Sequence, residues 1–110
     1  MPLSSNVKTE SLARDFGGQG KLAAILGVER STVSRWVRGT IPDPTHAARV
    51  DALEYVVAEA ERIFGRAGAR KWLQGIDPHL ADRRPIDLLR RGQIYEIVRA
   101  LSEHRAGSYA

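Results

Sequence analysis

The 110-residue chain has no cysteine, which excludes a disulfide framework and any thiolate-ligated metal. No apolar run approaches the roughly 18 residues that a membrane span needs. Its start, Met1-Pro2-Leu3-Ser4-Ser5-Asn6, lacks the basic and apolar regions of a signal peptide, so a soluble cytoplasmic protein is expected. Period-two alternation with β-branched enrichment is missing throughout, which removes the signature of strands. The stretch Gly17-Gly18-Gln19-Gly20-Lys21 has neither the spacing nor the preceding strand of a phosphate-binding loop. His46, His79 and His104 stand far apart, none with a His or Cys neighbour at metal-ligand spacing, so neither a metal nor a cofactor is expected. By pattern, Glu59 and Glu61 fall on an exposed helix surface. A chain this small offers little pocket volume beside its core. Together these gaps predict a protein that is not an enzyme.

What is present is a globular balance, 43% apolar and 27% charged residues, which excludes wholesale disorder. The length fits one domain, or two small helical ones sharing a long element. The net charge of +4 permits a polyanionic partner. Its distribution is uneven: net +2 over residues 1–44, −2 over 45–64 and +4 over 65–110. Separate binding surfaces at two basic ends, or merely a varied solvated surface, both fit.

Helical periodicity recurs along the whole chain, so the predicted class is all-α. Asn6 to Phe16 is a first helix, with Val7, Leu12 and Phe16 as core positions, ended by Gly17-Gly18. Gln19 to Leu26 and Arg30 to Arg38 follow, stopped by Gly27 and Gly39. Pro42 and Pro44 make the next segment a rigid connector. Thr45 is the expected cap of a long helix to Phe64, whose apolar stripe is Val50, Leu53, Val57, Ala60 and Phe64. Gly65 and Gly68 interrupt, and Ala67 to Gln74 forms a short helix. Asp77-Pro78 and Arg84-Pro85 are two further helix starts. The second ends at Gly92. A last helix, Gln93 to His104, carries Ile94, Ile97, Val98 and Leu101.

Two constellations bear on function. Residues 19–39, Gln-Gly-Lys-Leu-Ala-Ala-Ile-Leu-Gly-Val-Glu-Arg-Ser-Thr-Val-Ser-Arg-Trp-Val-Arg-Gly, combine a small Ala23 for close helix approach, a turn glycine at Gly27, and apolar pins at Val28, Val33 and Trp36-Val37. The run resembles a helix-turn-helix of the Xre/phage-repressor type. That resemblance implies a third helix lying in the DNA major groove with its N-terminal residues at base edges. Arg30 and Arg35 can fork onto guanine, and Ser31 and Thr32 can donate to bases or phosphates. Gln19 suits a phosphate at a helix N-terminus, while Lys21 and Arg38 add charge toward the backbone. A plain helical hairpin, or a helix-turn-helix kept only as a scaffold, are the alternatives.

The second constellation is Trp72-Leu73, Leu80, Pro85-Ile86-Asp87-Leu88-Leu89, Gly92, Val98 and Leu101. It resembles the toxin-binding domain of the Xre/MbcA/ParS antitoxins, and with the first constellation the likeness spans roughly residues 19–107. One departure is visible: where many members have a glycine between the leucine and the proline, this chain reads Asp82-Arg83-Arg84. Such antitoxins pair with RES-domain toxins, which consume NAD, cover the toxin's active-site entrance with their C-terminal region, and repress their own operon. The resemblance therefore marks Arg83, Arg84, Pro85, Leu88, Arg91 and Gly92 as toxin-facing, along with the last helix and Tyr109 in the tail. Without it, Leu88 reads as core, Pro85 as a helix-start residue and the arginines as solvated charge.

The resulting expectation is an all-α protein with a helix-turn-helix domain (1–44), a connecting or dimerisation helix (45–64) and a toxin-binding module (65–110). Its partners would be a RES-domain toxin and operator DNA, bound as a homodimer or as a hetero-oligomer with the toxin, with no membrane. A stand-alone Xre-like dimeric repressor whose C-terminal module only dimerises is the competing reading.

Overall fold

Glycine stops and apolar spacing divide the chain into six helices and one 3-10 turn among the residues that the computed structural model describes, 5–107. They are α1 (Ser5–Phe16), α2 (Gln19–Leu26), α3 (Arg30–Val37), α4 (Pro44–Gln74), the turn Pro78–Leu80, α5 (Pro85–Arg90) and α6 (Ile94–Gly107). The fold is all-α. Its one β-like feature among those residues is an isolated bridge between Asp77 and Arg83. None of the described helices is long and apolar enough to cross a membrane. The chain forms two compact units, residues 1–54 and 55–110.

In the first unit α1, α2 and α3 pack against one another. Leu12, Phe16, Leu22, Ile25, Leu26, Val33 and Trp36 supply the core. Val7, expected there, is instead 43% exposed, and the buried residue of that turn of α1 is Thr9. Ala23 is buried, as close approach of α2 requires. Gly27 caps α2 in the left-handed conformation at φ 70°. An ideal Cβ there would meet no atom within 4 Å, so the constraint is the backbone alone. Gly27→Ala is expected to cost about 1 kcal/mol in the denaturant midpoint, with Gly27→Asn recovering much of it.

The start of α4 differs from the sequence reading. Asp43, not Thr45, is its cap: the Asp43 carboxylate accepts the His46 backbone N–H at 2.8 Å. That bond, then the one to the His46 ring, holds the Asp43 carboxyl below its ordinary range. Gly65 interrupts α4 as expected, with φ 77° and ψ 171°, whereas Gly68 does not.

The second unit buries Val56, Val57, Ala60, Leu73, Leu80, Ile86, Leu88, Leu89, Ile97 and Leu101. Asp77 and Pro78 do start an element, but only a single 3-10 turn. Pro85 occupies the first turn of α5, and Gly92 (φ 73°) follows its end. The last helix runs past His104 to Gly107.

Candidate functional site

Within the first unit, the geometry of α3 follows from its two buried residues. Val33 and Trp36 face the core, which turns Arg30, Ser31 and Arg35 to solvent and leaves Thr32 half-exposed. Arg35 donates to the Thr32 hydroxyl at 3.2 Å. Arg38 is exposed just beyond the helix, and Lys21 is exposed on α2 with its aliphatic stem along Gly17. Gln19 is the half-buried first residue of α2. Residues 20–39 carry four basic groups against Glu29 alone.

Sequence reasoning missed Arg49, on α4. Its guanidinium donates to the Leu26 and Ile25 carbonyls, each at 3.0 Å. Those are among the last carbonyls of α2, where a cation also suits the helix dipole. Arg49 thereby fixes the end of α2 beside the turn into α3. Lys8 on α1 pairs with Asp51 on α4 at 3.0 Å.

In the second unit, Arg83, Arg84, Arg90 and Arg91 line one open cavity of about 590 Å³. Asp82, Asp87, Leu88 and Ile76 complete its wall. Four guanidinium groups against two carboxylates make the opening cationic. Arg84 grips Asp87 with two bonds of 2.9 and 3.0 Å. That grip, reinforced by the charges of Arg90 and Arg91, holds the Asp87 carboxyl below its usual range. Arg83 donates to the Leu80 carbonyl at 2.8 Å and pairs with Glu96 at 2.6 Å. Ile76 is 68% exposed, an apolar residue beside the charged opening.

The loop leading into this cavity is strained. Ala81 and Asp82 both take left-handed conformations, φ 56° and 59°. Asp82 N–H to the Asp77 carbonyl (2.9 Å) and Arg83 N–H to the Leu80 carbonyl (3.2 Å) hold it. Strain in non-glycine residues persists only where surrounding bonds over-determine it.

Of the other residues marked as toxin-facing, Gly92 is exposed while Pro85 and Leu88 are buried. Leu88, 1% exposed, contributes only to the cavity's inner wall. Both serve the core first, because the α5 face that carries them packs inward. Tyr109 lies outside the described residues. Glu59, expected on the surface, is 5% exposed and bonded to Arg62 and Arg105.

A third arrangement corrects the view of the histidines as isolated. His79 and His104 meet edge to face, ring centroids 4.6 Å apart, beside Asp77. Asp77 is 2% exposed. Its carboxylate accepts from Trp72 Nε1 (2.8 Å) and from the His79 backbone N–H (2.9 Å), and lies 2.7 Å from His104 Nε2. Burial pushes the Asp77 carboxyl up, but the bonds from Trp72, His104 and the His79 amide outweigh it and hold it low. Asp77→Ala would strand those donors in a buried setting. The expected loss is about 2–4 kcal/mol by chemical denaturation, and an unchanged midpoint would refute the bracing role.

No family model matches the sequence. No curated protein matches it either. Among solved structures, this all-α fold is similar to a chain of the crystal structure of the M. tuberculosis MbcT–MbcA toxin–antitoxin complex, at a TM-score of 0.77 and 20% identity. The likeness covers 96% of this chain and 97% of that one, and at this identity it establishes the fold.

Proposed function

We propose that this chain is the antitoxin of a type II toxin–antitoxin system, blocking a RES-domain, NAD-consuming toxin and repressing its own operon. The observation that carries the toxin-binding half is the arginine-lined cavity. Arg83, Arg84, Leu88 and Arg91 are toxin-facing positions by family resemblance, and all four line that one cavity. The fold likeness to a chain of a toxin–antitoxin complex supports the same reading. Arg83, Arg84 and Arg91 then contact acidic groups at the rim of the toxin's active-site entrance, with Arg90 beside them.

For the DNA-binding half, α3 is the recognition helix. Arg30, Ser31, Thr32 and Arg35 meet base edges, while Gln19, Lys21 and Arg38 meet phosphates. One eight-residue helix reads too few bases for useful specificity, so operator binding uses two copies. The chain's role is inhibition and repression rather than catalysis.

The test is growth. A RES-like reading frame beside this gene should arrest cells when induced alone, and expressing this chain should restore them. Absence of rescue would overturn the antitoxin role. An elution as a plain homodimer that binds DNA, with no toxic neighbour, would instead establish the stand-alone repressor.

A further inference from the structure

Asp77, His79 and His104 each offer one donor atom, and these atoms all lie within 4.8 Å of one another. We propose that these three residues form a binding site for a divalent transition-metal ion of the zinc class. The donor set is right for it: two imidazoles and one carboxylate, with no thiolate in the chain.

Around a zinc ion with bonds of about 2.0–2.2 Å, neighbouring donors sit about 3.4 Å apart. Asp77 and His104 are closer than this, at 2.7 Å, so the ion would take the place of the hydrogen bond between them, and the His79 side chain beside them is 41% exposed. The supporting groups fit as well. Glu103 lies 2.6 Å from His79 Nδ1, the carboxylate–imidazole pairing that fixes a metal ligand's tautomer and leaves Nε2 for the ion. Arg99 in turn pins Glu103 at 2.6 Å. Trp72 Nε1 orients the Asp77 carboxylate, and Phe64 packs edge-on against the His104 ring at 5.1 Å. With neutral imidazoles, Asp77 and Glu103 outweigh Arg99 by one negative charge, so the surroundings attract a dication. Solvent on the exposed side of His79 supplies the remaining coordination position. The ion would tie together the Asp77 turn and α6, adding to the His79–His104 ring contact and taking over from the His104–Asp77 bond.

The experiment uses the tag-free full-length chain, titrated with Zn²⁺ by calorimetry and with Co²⁺ followed by its visible d–d absorption. One ion should bind per chain. His79→Gln should weaken binding by about 100-fold and remove the Co²⁺ spectrum, and Glu103→Gln should weaken it about tenfold. His46→Gln, which alters the separate Asp43–His46 pair, should leave the titration unchanged. Circular dichroism verifies that each variant is folded. No binding at millimolar Zn²⁺, or binding that His79→Gln and Glu103→Gln both leave intact, would overturn the site.

Discussion

Replacing Arg90 and Arg91 together by glutamate is expected to abolish toxin neutralisation while operator binding persists. Each substitution reverses a charge at the cavity opening, so the wall changes from four cations against two anions to two against four. Like-charge contact with the acidic rim proposed for the toxin should then oppose docking, and the affinity should fall on the order of 100-fold or more. Both side chains are exposed, and the core beneath rests on Ile86, Leu88 and Leu89, so the helical circular dichroism should not change. Surface plasmon resonance against an inactive toxin variant reads the loss. Unchanged affinity would remove the cavity from the interface.

The second large effect concerns DNA. Arg35→Ala should weaken specific operator binding by about 1–3 kcal/mol, and toxin neutralisation should be untouched. Arg35 is exposed on α3 and is steadied by Thr32, an arrangement that presents its fork away from the Val33–Trp36 core. Lys21→Ala and Arg38→Ala should instead weaken binding evenly across sequences. Each should also reduce the salt dependence by about one phosphate contact, roughly 0.9 log unit per tenfold change in salt. A fluorescence-anisotropy titration at several salt concentrations separates the two classes. Operator affinity indifferent to Arg35 would contradict base reading by α3.

What the sequence made legible was local. Gly27, Gly39 and Gly92 end helices because a positive φ is needed at a single position, and Asp77-Pro78 and Arg84-Pro85 begin elements for equally local reasons. The Gly65 interruption was legible on the same grounds. Long-range pairing was not. Arg49 reaches the end of α2 across more than twenty residues, and nothing in the periodicity of α4 singles it out. Glu59 lies off the apolar stripe of α4, yet Arg105, 46 residues away, makes its burial tolerable. His79 and His104 are brought together by the Asp77 turn packing on α6, a contact that no short spacing encodes.

The same division explains the cavity. The resemblance supplied Arg83, Arg84, Leu88 and Arg91, and the fold draws Arg90 and the exposed Ile76 in beside them. In the loop before the cavity the left-handed backbone is carried by Ala81 and Asp82, two residues that hydrogen bonds to Pro78 and Asp77 hold in place.

The most direct measurement is the mass of the complex obtained when this chain is produced together with a RES-like protein encoded beside it, as the proposal requires, taken with and without an operator fragment. The account predicts one stable assembly containing both proteins that retains the fragment. Recovery of this chain alone, with the neighbouring protein and the DNA both unbound, would contradict it.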